Sequence, residues 1–385
     1  MRSHSVTVSA ACRHVVVALL AISALAVSAC AGIGTSGPKS ASPSLPAQPS
    51  ASPSATPPVP VGFGGGQPMM YLPDSQLARE FDAVKASGAT WIRVDVDWSD
   101  VEATRGHMDW ANTDRVVNAA RRRGLLVLAA IVYTPQWAHD GSVSGRDTHG
   151  RPATPELFAT FAAQAATRYG KDVTSWEIWN EPNLAIFFAP RPDAVFYTRM
   201  LQAAYRSIHA VQPTATVIGG SLAPANDSAD GSTVPPTTFV EQMYAAGAKD
   251  TMDAVSIHPY SYPANPSDSS TAAWNTFYRL RYVRDTMRHY GDGTKALWLT
   301  EFGSPTATVE TGTGPVKVDD QRQAEIISDG LRYANLLPAI GPVFIYSIRD
   351  EQTGSPITLL NFGVLRTDYS PKPSYDAIKQ YTGVR

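Results

Sequence analysis

From Val61 to the C-terminus, short apolar runs alternate with amphipathic stretches. A short apolar run bounded by polar residues indicates a buried strand, whereas apolar residues three or four positions apart indicate one face of a helix. The pattern predicts eight strands, at residues 61–64, 91–97, 125–133, 175–179, 216–220, 254–258, 296–300 and 342–347. It also predicts helices at residues 75–87, 112–123, 155–169, 194–211, 238–246, 273–290, 321–337 and 374–381.

Regular alternation of strand and helix favours parallel βαβ units, and eight units favour closure into a barrel. An open, doubly wound sheet is the alternative. It is disfavoured because Gly64-Gly65-Gly66, after the first strand, lacks the spacing of a phosphate-binding loop. The predicted fold class is therefore α/β, with a single (β/α)8 TIM barrel over residues 61–385.

The first thirty residues have the pattern of an export leader. Arg2 and Arg13 precede an apolar run at 15–27 that is too short for a permanent membrane helix. The run ends in LAVSAC at 25–30, and small residues before a cysteine resemble a bacterial lipobox. We expect residues 1–29 to be a lipoprotein signal peptide and Cys30 to be acylated. An ordinary signal peptide with a chance cysteine is the alternative.

The cysteine count supports lipidation, because the only other cysteine, Cys12, lies inside the leader. A single cysteine left in an exported protein calls for an explanation, and acylation provides one. Residues 31–60 are nearly all Ala, Ser, Pro, Gly and Thr, a composition that does not form a core. We expect 30–60 to be a disordered, lipid-anchored linker that spans at most about 90 Å.

The charge balance excludes one class of partner. The chain has 32 Lys and Arg against 34 Asp and Glu, with no basic stripe, so we expect no nucleic-acid binding. The eight histidines are scattered and form no cluster with ligand spacing, so we expect no catalytic metal and no cofactor. We also expect a monomer.

Polar and aromatic residues collect at the C-terminal ends of the predicted strands, where barrel enzymes carry their active sites. Glu181 follows the fourth strand and Glu301 the seventh, on opposite sides of a closed barrel. Hydrolysis of a glycosidic bond requires two carboxylates that flank it, and aromatic faces pack against sugar C–H groups. The strand ends therefore predict a glycosidase. The candidate substrate-binding residues are Arg93, Trp98, Tyr133, Trp137, Asn180, His258, Tyr260 and Tyr346.

Several motifs resemble the glycoside hydrolase clan A barrels: WEIWNEPN at 176–183, HPY at 258–260 and TEFG at 300–303. The segments IRVDVDW at 92–98, GHMDW at 106–110 and YTP at 133–135 are most similar to family 39 and its family 5 relatives. The resemblance extends from about residue 61 to the end. It implies a retaining mechanism, with Glu181 as acid/base, Glu301 as nucleophile and carboxyl groups about 5 to 5.5 Å apart.

The resemblance also implies roles around the two glutamates. Asn180 would bind the sugar 2-hydroxyl, Tyr260 would orient Glu301, and Arg93 would keep Glu301 ionised. One departure is that Tyr346 stands where clan members usually carry a tryptophan as the floor of the central sugar subsite.

Other residues are interpreted from their positions alone. Glu177 is expected to be a buried partner of Arg93, and His258 to form hydrogen bonds. Trp98 and Trp137 lie beyond strand ends, where a sugar platform and plain loop packing both fit.

The predicted function is a retaining, endo-acting hydrolase of a cell-envelope or extracellular polysaccharide, tethered to the outer face of a bacterial membrane. Galactan or arabinogalactan, mannan, glucan and xylan remain open as substrates. A transglycosylase with the same residues, or a carbohydrate-binding lipoprotein without turnover, are the alternatives. Both glutamates and Asn180 are intact, which argues against loss of turnover.

The lipid anchor yields the first testable prediction. Replacing Cys30 with Ala should move the protein from the membrane fraction to the soluble fraction, because no acyl chain would then be attached. Fractionation followed by immunoblotting measures this, with Cys12→Ala as the matched control that should stay membrane-bound. Persistent membrane association of Cys30→Ala would show that attachment has another cause.

Overall fold

A computed structural model describes residues 58–143 and 148–384. The strands are β1 Val61–Gly64, β2 Trp91–Asp97, β3 Leu126–Val132, β4 Val173–Ile178, β5 Thr216–Leu222, β6 Ala254–Ile257, β7 Ala296–Phe302, β8 Thr308–Thr311, β9 Gly314–Lys317 and β10 Ile340–Tyr346. Eight of them form a closed parallel barrel in the order β1–β10–β7–β6–β5–β4–β3–β2. The predicted (β/α)8 barrel is confirmed.

The helices are α1 Gly66–Met70, α2 Asp74–Ala86, α3 Trp98–Val101, α4 Ala111–Arg122, α5 Pro155–Tyr169, α6 Ala194–Val211, α7 Pro236–Ala245, α8 Leu280–His289, α9 Asp320–Leu336 and α10 Pro373–Thr382. Most lie within two residues of their predicted limits. The helix predicted from residue 273 begins only at Leu280, because Asn275 binds the preceding loop instead. Its amide donates to Asn265 O and Thr271 Oγ1, each at 2.9 Å, and such side-chain bonds compete with helix formation.

An apolar layer fills the N-terminal end of the barrel. Leu128, Ile218, Trp298 and Phe344 pack there, and the rings of Trp91 and Trp298 meet edge to face at 5.3 Å. Gly62 in β1 is required for this packing, since a Cβ at that position would lie 2.7 Å from the Phe344 ring. The polar interior residues therefore lie above this layer, toward the C-terminal face.

The β7–α9 connection contains an antiparallel hairpin, β8–β9, that the sequence pattern did not predict. Among the described residues, no helix combines the length and apolarity that crossing a bilayer requires. The predicted signal peptide at 1–29, Cys30 and the linker as far as residue 57 lie outside the described residues.

The segment after β10 contains a buried ion pair between Lys372 and Asp350. This pair generates the second prediction. Lys372 Nζ lies 2.8 Å from Asp350 Oδ1, and both side chains are fully buried. Lys372→Met alone or Asp350→Leu alone leaves an uncompensated buried charge, and each should lower the free energy of unfolding by about 3 to 5 kcal/mol. Chemical denaturation measures this. The double variant should lose less than either single variant, and a loss equal to the sum of the two would contradict the pairing.

Candidate active site

Arg93, on the inward face of β2, organises the polar interior of the barrel. Its Nε donates to Glu177 Oε2 at 2.7 Å and its Nη1 to Glu301 Oε1 at 2.8 Å. Its Nη2 donates to Asn180 Oδ1 at 2.9 Å. The guanidinium is only 3% exposed, so these partners are needed to offset the cost of burying its charge. One side chain thus joins β2 to β4 and β7.

Glu177 is fully buried in β4 against Arg93, in the position that the sequence suggested. Burial alone would raise the pKa of its carboxyl group, but the charge of Arg93, assisted by His258, lowers it. Glu177 therefore remains ionised and supplies the second negative charge that holds Arg93 in place.

Glu301, in β7, is held by two donors. Arg93 binds one carboxylate oxygen, and the Tyr260 hydroxyl donates to Oε2 at 2.9 Å. Burial and then the charge of Glu301 raise the pKa of Tyr260 well above its ordinary value, so the phenol keeps its proton. Glu301 is therefore fixed in orientation, with its side chain 13% exposed.

Glu181 lies just beyond β4 on a backbone with positive φ, 51°, and Trp179 before it has φ 73°. Its own N–H donates to Ser221 O at 2.9 Å, which holds this sharp turn. The turn directs the side chain to His258, whose Nδ1 lies 2.8 Å from Glu181 Oε1. Burial raises the pKa of Glu181; the hydrogen bond and charge of His258 act against this, and the Glu301 charge adds to it.

His258 lies directly beneath the two glutamates and is fully buried. Its Nε2 lies 3.1 Å from the Ser221 hydroxyl, and its Nδ1 lies 3.7 Å from Glu301 Oε2. Burial lowers the pKa of His258, but the charges of Glu301 and Glu181 outweigh it and the net shift is upward. His258 therefore orients Glu181 and has no surface left for a substrate, which corrects the substrate-binding role expected for it.

The two glutamates face each other at short range. One carboxylate oxygen of Glu181, one of Glu301 and a ring nitrogen of His258 all lie within 4.8 Å of one another. Within residues 58–143 and 148–384, the same three side chains form the group that could hold a metal ion, a grouping that their spacing in the sequence conceals. The 2.8 Å contact between His258 and Glu181 is a hydrogen bond, however, and an ion would have to replace it.

Comparison with known proteins agrees with this geometry. A family model described as cellulase (glycosyl hydrolase family 5) matches residues 60–335. The chain belongs to glycosyl hydrolase family 5. A search of curated proteins finds no match to the sequence. The family is one of glycoside hydrolases, so the predicted enzyme class is confirmed.

Solved structures share the fold. A family 39 glycoside hydrolase from Bacteroides cellulosilyticus WH2 is 24% identical, with a TM-score of 0.66 over 84% of this chain and 63% of that one. A family 39 β-xylosidase from Caulobacter crescentus is 20% identical, with a TM-score of 0.62 over 85% and 71%. An exo-β-1,4-mannosidase from Opitutaceae bacterium strain TAV5 is 16% identical, with a TM-score of 0.58 over 84% and 59%. The chain thus spans less than two thirds of the first and third of these proteins.

Aromatic side chains form one wall of the site in this family 5 chain. Tyr260 and Tyr262 meet edge to face at 5.9 Å, and both contact the ring of Phe362. Tyr346, at the end of β10, packs edge-on to the same ring at 5.5 Å and is half-buried. An exposed aromatic face of this kind suits the C–H side of a sugar ring.

Two acidic side chains lie on β2 with Arg93. Asp95 and Asp97 follow Arg93 at alternate positions, so all three point inward. Burial raises the pKa of Asp95 to about 6, with Arg93 opposing the shift, and raises that of Asp97 to about 7, with Ser99 opposing it. The Gln67 amide donates to Asp97 Oδ2 at 2.5 Å.

The structure places three other predicted residues differently. Trp98 is 1% exposed, stacks on Phe161 and donates to Glu102 Oε2 at 2.8 Å, so it is a core residue and does not form a sugar platform. Trp137 packs edge-on to Trp98 and donates to Glu102 O, within the same loop packing. Tyr133 is 6% exposed at the end of β3 and meets the Trp179 ring at 6.0 Å, beside the Glu181 turn.

Sequence reasoning missed Ser221 and Asp95. Ser221, at the end of β5, has φ 53° and is fully buried between Arg93 and His258. The Gly219-Gly220-Ser221 run at a strand end was the available signal, since glycines permit close backbone approach. Asp95 lies in the middle of the strand WIRVDVD at 91–97, where alternate charged residues indicate a polar face but do not show what that face contacts.

The environment of Glu181 generates the third prediction. Replacing His258 with Phe removes the hydrogen bond and charge that lower the pKa of Glu181, whereas burial and Glu301 still raise it. The pKa of Glu181 should therefore rise further. A 13C titration of the glutamate side chains by NMR measures it, with Glu181→Gln to assign the signal. Ser221→Ala is the matched control, because it leaves the bond to Glu181 in place; an unchanged or lower pKa in His258→Phe would contradict the assignment.

Proposed function

We propose that this family 5 chain is a retaining glycoside hydrolase that acts by double displacement. The observation that carries the proposal is the approach of the Glu181 and Glu301 oxygens to within 4.8 Å. Retaining glycosidases hold their carboxyl groups about 5 to 5.5 Å apart, whereas inverting enzymes need about 6.5 to 9.5 Å to admit a water molecule. The short separation of Glu181 and Glu301 therefore fits direct attack of a carboxylate on the sugar.

Glu301 is the proposed nucleophile. Its carboxylate attacks the anomeric carbon as the bond to the leaving oxygen breaks, which gives a covalent glycosyl-enzyme intermediate. Arg93 and Tyr260 hold one oxygen each, so the group is presented in a fixed orientation. Asn180, whose oxygen is bound by Arg93, is oriented to offer its NH2 group to the sugar 2-hydroxyl.

Glu181 is the proposed acid/base. Its raised pKa suits a group that is protonated at the start, gives its proton to the leaving oxygen, and then takes a proton from the attacking water. The nearby Glu301 charge disappears when the ester forms, which favours loss of the proton for the second step. The different partners of the two carboxyl groups support this division of roles.

The proposed substrate is a polysaccharide of the cell envelope or extracellular matrix, cleaved internally. An exported chain with a lipidated Cys30 and a proline-rich linker would present the barrel at the outer face of its own membrane, where such polymers lie. Sizing the products from galactan, mannan, glucan and xylan tests this. Early oligosaccharides of many lengths support internal cleavage; release of single sugars alone contradicts it, and products longer than the substrate indicate transglycosylation.

The two glutamates generate the fourth prediction. Glu301→Gln should lower kcat by several orders of magnitude with little loss of substrate binding, because the attacking charge is gone while the shape is kept. Glu181→Ala should lose far more activity on polysaccharide than on an activated aryl glycoside, since a good leaving group needs no proton. Steady-state kinetics and calorimetric binding measure these effects.

Glu310→Gln, on the exposed β8 strand, is the matched control and should leave kcat unchanged. A 2-fluoro glycoside should trap an adduct that peptide mapping assigns to Glu301. An adduct elsewhere, inversion at the anomeric carbon, or equal losses on both substrate types in Glu181→Ala would each sink the proposed mechanism.

A further inference from the structure

Asp95 is a nearly buried carboxylate for which the described residues supply no hydrogen-bond donor. It is 7% exposed, and its nearest charged partner, Arg93 Nη1, lies 3.8 Å away. That distance is too long for a hydrogen bond. Its carboxylate oxygens keep a little exposure, so they can accept hydrogen bonds from a group outside the protein, and such bonds would offset the cost of this partial burial.

Asp97, two residues further along β2, is a structural carboxylate that receives hydrogen bonds from the protein. It accepts hydrogen bonds from Gln67 at 2.5 Å and from Ser99 N and Oγ at 2.8 and 2.6 Å. It also caps the N-terminus of α3. Asp97 is therefore satisfied by the protein, whereas Asp95 is not.

The direction of Asp95 follows from strand alternation. Arg93 points inward and reaches Glu301, so Asp95 points inward two positions nearer to the C-terminal face, where substrates enter a barrel. Tyr133 and Tyr346 lie close enough that the Asp95 charge adds to the effect of burial in raising the pKa of each. Asp95 thus lies on β2, between β1 and β3, and within 4.0 Å of the guanidinium that also holds Glu301.

We propose that Asp95 accepts hydrogen bonds from hydroxyl groups of the sugar that Glu301 attacks, and that its charge excludes sugars carrying a carboxylate. This inference rests on the proposed function and deepens it, because it names the substrate class as neutral, hydroxyl-rich glycosides. Sugar hydroxyls supply the donors that the protein withholds.

The charge balance of the cleft explains the exclusion of acidic sugars. Arg93 lies within 4.0 Å of Asp95, Glu177 and Glu301, so one guanidinium already faces three carboxylates. A uronate placed against Glu301 would add a fourth negative charge beside a single guanidinium. A neutral sugar meets no such repulsion, and the specificity therefore comes from a repulsive element as well as an attractive one.

The fifth prediction compares matched neutral and acidic substrates. The probes are two 4-nitrophenyl pairs, β-glucoside with β-glucuronide and β-galactoside with β-galacturonide. The intact protein should favour the neutral member, and Asp95→Asn should lower kcat/KM on it by roughly 10- to 100-fold. Asp95→Asn should also reduce the preference for the neutral sugar over the uronide, because the amide carries no charge to repel the uronide carboxylate. Asp95→Ala should reduce this preference in the same way, and it should lose more activity on the neutral sugar than Asp95→Asn does.

Asp100→Asn is the matched control, since Asp100 is an exposed carboxylate in α3 and should leave the preference unchanged. Thermal melting of each variant separates loss of folding from loss of specificity. Calorimetric binding of the same pairs to Glu301→Gln, with and without Asp95→Asn, gives the preference independently of turnover.

Two results would overturn the assignment: equal handling of neutral and acidic sugars by the intact protein, or a preference that survives Asp95→Asn. The proposed function fails differently, through undiminished turnover by Glu301→Gln, whatever Asp95 does. The two failures are therefore distinguishable in one set of variants.

Discussion

The interior of this barrel depends on one guanidinium. Arg93 is buried above an apolar layer, and Glu177 and Glu301, 2.7 and 2.8 Å away, offset the cost of burying its charge. Those partners come from β4 and β7, which lie two and three strands from β2 in opposite directions around the barrel, so both ion pairs exist together only in the closed barrel. Folding and assembly of the site are therefore one event, and the cost of burying Arg93 is offset by the carboxylates that the chemistry needs.

The same constraint makes the two catalytic candidates unlike each other. Glu301 receives two strong donors, Arg93 and Tyr260, whereas Glu181 receives one from His258 at a strained turn. Two carboxyl groups this close together disfavour ionisation of one another, and the pKa of Glu181, the one with weaker support, is raised. The asymmetry of partners, and not the identity of the residues, is therefore what supports the proposed roles of acid and nucleophile.

The fold was readable from the sequence because buried parallel strands are continuous apolar runs, and closure requires that eight of them recur. Glu181 and Glu301 were readable because charged residues ending apolar strands are rarely structural. Trp98 was misassigned, since a position just past a strand does not show whether a ring turns toward the cleft or, as here, onto Phe161. Ser221 and Asp95 were missed because their importance depends on contacts with residues of other strands. A local sequence pattern does not show such contacts.

The tyrosine at position 346, where clan members usually carry a tryptophan, can be interpreted together with Asp95. A pyranose has an apolar C–H side and a hydroxyl-rich edge, so a site that holds it needs an aromatic surface and acceptors at an angle to it. The Tyr346 ring, packed edge-on against Phe362 at the end of β10, is the candidate aromatic surface. Asp95 on β2 is the candidate acceptor. A phenol covers less of a sugar than an indole does. On the function proposed above, binding in this cleft would depend more on hydroxyl recognition than on ring stacking, and the configuration of the hydroxyls would decide which glycoside is cleaved.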